Sequence, residues 1–389
     1  MSTIPVVLTS SETALQTLKA TLDQLGITQQ VGEATINSLF FDPTNPKMTN
    51  NDALLAAALL GQQASSDELV SLAFAPPNAQ LEMLNQTQAF EGLNAKTFHV
   101  ETAPGVSIQA WYIKPEPGKS TILFSNGTDG NFIKSKELIT QLKSEGYGIL
   151  TYQFRGYGAD QGGSTGVTSE QGLYSDLKAL SRLLTQGSPE NGIAKTPYSH
   201  QILMGYSLGG DVSAHVAAQS GNHYQGLVLV DAPKSIEDAF KAEAQDTDPL
   251  VQQITAPFQA NILAAEQKIH GAFDISKDVA SLHLPTLFIE GENDKLALPA
   301  LEKQLFQSEK FPIKSYINVS GADHNTVVTD PANADLIADR VEQFFSHYDY
   351  CKVLQDMAGY NAHNEGGLSH FSQAARQPEP MTLAMAGHH

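Results

Sequence analysis

The sequence predicts an α/β protein, a mostly parallel sheet with helices on both faces. Short apolar runs alternate with segments of helical length from about residue 95 onward. Such runs are too apolar for half-exposed strands and suit strands covered on both sides, joined by crossover helices. One of them passes directly into a helix through Gly205-Tyr206-Ser207-Leu208-Gly209. An N-terminal helical extension and a helical insertion complete the predicted architecture.

The elements follow in order. Residues 1–94 read as the extension: Ser11–Leu25 and Asn51–Leu60 have helical spacing, and Asp42-Pro43 and Pro76-Pro77 are breaks. Thr97–Glu101 and Val106–Lys114 are strands joined by a turn at Pro104-Gly105. Then come strand Thr121–Ser125, helix Ile133–Glu145, strand Gly148–Tyr152, helix Ser169–Thr185, strand Gln201–Gly205, helix Leu208–Gln219 and strand Gly226–Val230. Later come strand Thr286–Glu290, helix Pro299–Gln307, strand Lys314–Val319 and helix Pro331–Phe345. The connection before Thr286 is far longer than a normal crossover, and Ser235–Ala244 and Pro249–His270 within it look helical. Residues 232–285 are therefore expected to form a helical lid on a domain spanning 95–347. Residues 348–389 are expected to be a weakly ordered tail.

Composition narrows the function. The chain has 389 residues, with 23 Lys+Arg against 42 Asp+Glu and a formal net charge of −19. No basic run interrupts that balance, which argues against a nucleic-acid partner. A single cysteine, Cys351, allows no internal disulfide. The N-terminus lacks the basic and apolar regions of a secretory signal, and no apolar stretch is long enough for a transmembrane helix. The sequence reads as a cytoplasmic protein, with export by a signal-less route left open. No Walker A motif and no zinc or EF-hand spacing occurs, and Gln161 breaks a dinucleotide fingerprint after Gly156 and Gly158. Neither cofactor nor metal is expected.

The chemistry centres on Ser207. A G-x-S-x-G pattern alone arises by chance in about one chain in eight of this length. Its placement between an apolar strand and a helix is what a nucleophile elbow requires, because the turn lifts the hydroxyl above the sheet. The helix N-terminus beneath adds a dipole suited to a developing oxyanion.

Two more segments join this one. They are Phe124-Ser125-Asn126-Gly127-Thr128, after the third strand, and Arg155-Gly156-Tyr157-Gly158, after the fourth. Together the three resemble the α/β-hydrolase superfamily over roughly residues 95–347. The similar branch is that of soluble esterases and acyl hydrolases carrying R-G-Y-G and G-Y-S-L-G-G. The resemblance implies the α/β-hydrolase fold and a Ser…Asp…His triad. Ser207 would be the nucleophile. Asp294 would be the acid, with Glu292 and Asp231 as rivals, and His324 the general base. The backbone amides of Leu208 and Thr128 would form the oxyanion hole. Asn126 stands where the superfamily usually has His, and Gln153 where it usually has Asp. Asn126, Tyr206 and Asp231 are the weaker candidates for the substrate pocket.

The implied activity is serine hydrolysis of an ester or thioester on a small-molecule or lipid-like acyl substrate. Peptide or amide cleavage by the same triad is an alternative. A partner-binding protein on a hydrolase scaffold is another, and the N-terminal region could meet a protein or membrane partner. Apolar lid residues Phe240, Leu250, Ile254, Phe258 and Ile262 either line an acyl pocket or simply pack the lid.

Overall fold

A computed structural model describes residues 92–128, 132–157, 162–219, 224–245 and 256–346, with a few isolated positions elsewhere. Most of the predicted N-terminal extension, the C-terminal tail, Leu250 and Ile254 lie outside the described residues.

Eight strands form one sheet. They are β1 (Lys96–Ala103), β2 (Val106–Ile113), β3 (Thr121–Ser125), β4 (Gly148–Tyr152), β5 (Gln201–Tyr206), β6 (Gly226–Val230), β7 (Thr286–Gly291) and β8 (Lys314–Val319). Their spatial order is β1-β2-β4-β3-β5-β6-β7-β8. β2 runs antiparallel to both β1 and β4, and every later pairing is parallel. The central strands β3, β5, β6 and β7 are buried at every position. That explains why they read as unbroken apolar runs rather than alternating ones.

Alternation instead divides the core between two faces. Leu123, Leu150, Leu203, Leu229 and Phe288 face one side. There they pack with Leu177 and Leu180 of α2 (Glu170–Gln186) and with Val212 and Val216 of α3 (Leu208–Gln219). Ile122, Phe124, Ile149, Met204 and Ile289 face the other. Leu138 and Leu142 of α1 (Phe132–Ser144) and Ile337 and Val341 of α9 (Pro331–Ser346) cover them. Burying a side chain of this size contributes about 1.5–3 kcal/mol.

The long crossover after β6 carries α4 (Ile236–Gln245), α5 (Gln259–Lys268) and the short α6 (Ser276–Ala280). α7 (Pro299–Ser308) and the single-turn α8 (Thr326–Thr329) complete the described helices. The predicted elements from residue 96 to 346 are present to within a few residues, except that the helix expected over Pro249–His270 is Gln259–Lys268, with most of 249–255 outside the described residues. α6 and α8 are too short to carry a readable period and were not anticipated.

Arg155 is a brace. Its Nε and one terminal nitrogen donate to the two oxygens of Asp176 on α2, each at 2.7 Å. Asp176 is fully buried, so removing the guanidinium strands a charge and costs about 3–5 kcal/mol.

Glu309, just past α7, is buried beside the sheet, and burial pushes its carboxyl from an ordinary 4.5 up to about 8. Between those two pH values the native state holds a proton that the unfolded chain has released, so stability falls as pH rises. Glu309→Gln should therefore melt with wild type at pH 5 and above it at pH 8, as thermal scans at the two pH values would measure.

Candidate active site

Ser207 sits between β5 and α3 with φ +53°, in the left-handed region. For an L-residue this backbone costs about 1–2 kcal/mol, so the neighbourhood must impose it. The Ser207 N–H donates to the Val230 carbonyl at 2.9 Å, and the Gly210 N–H donates to the Ser207 carbonyl at 2.7 Å. The chain on either side is packed backbone to backbone. A Cβ on Gly205 would stand 2.0 Å from the Gly209 carbonyl oxygen, and one on Gly209 would stand 2.1 Å from that of Ser125. Neither position admits a side chain.

The structure brings Ser207, His324 and Asp294 together from three separate strand ends. His324 follows β8, and its Nε2 lies 3.0 Å from the Ser207 Oγ. Its Nδ1 lies 2.7 Å from Oδ2 of Asp294, which follows β7. Asp294 is buried, and its Oδ1 accepts the amides of Leu296 at 2.7 Å and Ala297 at 3.0 Å. Those two donors fix the carboxylate plane. Tyr206 lies under the imidazole, ring centroids 5.3 Å apart, and its hydroxyl donates to the His324 carbonyl at 2.6 Å.

The rival acids are placed differently. Glu292 is exposed, and its Oε2 accepts the Ser320 hydroxyl and the Gly321 amide, both at 2.9 Å. It braces the turn leading to His324 and does not face the imidazole. Asp231 ends β6, is fully buried, and accepts the Gly291 amide on Oδ1 at 2.7 Å. Asn126 is buried with its Oδ1 accepting the Ser135 hydroxyl at 2.8 Å, which ties it to α1.

Leu208 is the first residue of α3, where backbone amides have no acceptor within the helix. The Thr128 carbonyl accepts the Tyr157 hydroxyl at 2.7 Å. A Cβ on Gly127 would stand 3.3 Å from the Ser207 Cβ, so this turn lies against the serine. Residues 129–131 are outside the described set.

Around Asp294 lies a group of buried acids, Glu290 and Glu302, that sequence reasoning did not anticipate. Burial, then the charge of Asp294, pushes Glu290 up to about 8. Burial and the charges of Asp231, Glu290 and Asp294 hold Glu302 well above the carboxylate range. The one available signal was Glu290 inside the apolar run Thr286-Leu287-Phe288-Ile289. Among the described residues, Asp231, Asp294 and His324 are the group with metal-type donor atoms together, all within 4.8 Å. Both imidazole nitrogens are already engaged, so a cation there would displace one of those hydrogen bonds.

Sheet order and elbow together give the chain the α/β-hydrolase fold. Residues 116–259 match the family model described as serine aminopeptidase, S33. An uncharacterized protein of Mycobacterium tuberculosis is 28% identical over 251 residues, 64% of this chain and 78% of that protein. An esterase of Pyrococcus furiosus superposes with a TM-score of 0.52 at 18% identity, covering 66% of this chain and 93% of that one. An α/β hydrolase of Vibrio vulnificus superposes with a TM-score of 0.53 at 19% identity, covering 68% and 86%. At these identities the likeness is one of fold. No helix among the described residues is long and apolar enough to cross a membrane.

The strained serine yields a test that is independent of activity. Ser207→Gly relieves the left-handed backbone and Ser207→Ala does not. Chemical denaturation should find the glycine variant more stable than the alanine variant by about 1 kcal/mol.

Proposed function

We propose that this chain is a serine hydrolase that cleaves a carboxylic ester or thioester through an acyl-enzyme. The observation that carries the reading is the unbroken chain from Ser207 through His324 to Asp294, 3.0 Å and 2.7 Å long, at a strained elbow. In the first half-reaction His324 Nε2 takes the proton as Ser207 Oγ attacks the carbonyl carbon. The amides of Leu208 and Thr128 hold the tetrahedral oxyanion. The carbon–oxygen or carbon–sulfur bond then breaks, and His324 returns the proton to the leaving alcohol or thiol. In the second half-reaction His324 activates water, which releases the acid and restores Ser207. Asp294 holds the Nδ1–H tautomer and stabilises the imidazolium throughout.

Residues 232–285 serve in this reading as a lid over the acyl site, with Phe240 and Ile262 contributing buried apolar surface from α4 and α5. The substrate is a small-molecule or lipid-like acyl compound, and the setting is the cytoplasm. The match to a family described as a serine aminopeptidase supports a second reading, peptide-bond cleavage by the same three residues.

A fluorophosphonate probe should label wild type and leave Ser207→Ala unlabelled. Absence of label on folded wild type would overturn the mechanism. p-Nitrophenyl esters assayed beside aminoacyl anilides then separate the two readings, and turnover of the anilides but not the esters would favour the second. Loss of Asp294 as Asp294→Asn should lower kcat by about 10⁴-fold, because the imidazole loses its orienting acceptor.

A further inference from the structure

The reaction scheme uses one buried carboxylate, yet two stand beside the imidazole. Asp231 is fully buried and holds φ +44°, a second left-handed non-glycine residue at a strand end next to Ser207. Its Oδ1 accepts the Gly291 amide, while its Oδ2 has no protein donor. Oxygens of Asp231 and Asp294 and a nitrogen of His324 lie within 4.8 Å of one another. The other ionisable groups facing this pair are Glu290 from β7 and Glu302 from α7. Lys303 is the cation that faces Glu290 and opposes its upward shift.

Two buried carboxylates this close cannot both carry charge at acceptable cost, so the pair shares one proton. The donors decide where it stays. Asp294 receives the Leu296 and Ala297 amides and the imidazole Nδ1, three contacts that favour a negative charge. Asp231 receives one amide. Burial and the neighbouring Asp294 charge both act against ionising Asp231.

We propose that Asp231 is a positioning residue of the site: it keeps its proton and donates it from Oδ2 to Asp294, fixing the negative charge on the carboxylate that faces His324. A carboxylate has about four acceptor directions, so Asp294 has room for this fourth hydrogen bond. Asp231 then acts on the serine only through Asp294 and His324. The proposal rests on the triad reading above.

The test is the acid limb of the kcat/KM profile on an ester substrate, which reports the imidazole of the free enzyme. Asp231→Asn retains an acceptor for Gly291, a donor for Asp294, and a side chain suited to a left-handed backbone. Its acid limb should stay within about 0.2 pH unit of wild type. Asp231→Ala removes the donor, leaving Asp294 a stronger acceptor for the imidazolium proton. Its limb should rise by about 0.5–1 pH unit. A fall in Asp231→Asn would mean that a charge had been lost, so that Asp231 is ionised in wild type, and would overturn the proposal. An unmoved limb in folded Asp231→Ala would reduce Asp231 to a structural role and overturn it equally.

If Asp231→Ala does not fold, the infrared difference spectrum between wild type and Asp231→Asn decides. Loss of a protonated-carboxyl band supports the proposal, and loss of ionised-carboxylate bands alone rejects it. That spectrum needs no turnover, whereas failure of the triad reading appears separately as an absence of fluorophosphonate labelling at Ser207.

Discussion

The site depends on one close approach of backbone to backbone. The first turn of α3 is pressed against the ends of β3 and β5 so tightly that Gly205 and Gly209 leave no room for a Cβ. A chain that must turn so sharply from strand to helix forces the residue between into the left-handed region. That residue is Ser207, and its hydroxyl is carried to the rim of the sheet. Everything else at the site meets the serine there. His324 and Asp294 arrive from the ends of β8 and β7, whose parallel pairing brings both loops to the same edge.

The parallel sheet also explains the electrostatics. Its centre is dry on both faces, so any carboxyl that enters it is pushed toward its neutral form. Glu290 and Glu302 are pushed up in this way, whereas Asp294 accepts the backbone amides of Leu296 and Ala297. The Tyr316 hydroxyl donates to Glu290, which gives that acid one neutral partner. Strongly acidic composition and a core able to hold protons are thus compatible. The surface carries the charge and the sheet suppresses it.

The central strands were legible because burial on both faces leaves unbroken apolar runs such as Gly226–Val230. The elbow was legible because its glycines are sterically compulsory. His324 and Asp294 stood at strand ends in the chain order the family resemblance implies, with Glu292 and Asp231 left as rival acids. The Asp231–Asp294 pairing was not legible. It depends on how β6 and β7 sit side by side, and sequence separation carries no trace of that register. Nor could sequence separate Glu292 from Asp294, two residues apart in one loop. Which of them turns inward is set by the amides of Leu296 and Ala297 and by the pull of Ser320 and Gly321 on Glu292.

The aromatic cluster at the start of α1 has a further consequence. Phe90, from outside the sheet, is almost wholly buried and stacks on Trp111 of β2 with ring centroids 5.1 Å apart. Both rings contact Phe132, the first residue of α1, which follows the turn containing Thr128. The packed unit therefore extends beyond the N-terminal edge of the sheet. A boundary drawn at the first strand would cut through a wall of that cluster, exposing an indole and loosening the anchor of the turn beside Ser207. For this chain the sheet boundary and the packing boundary differ: among the described residues Leu69, Phe90 and Leu93 precede the first strand and are buried in the core.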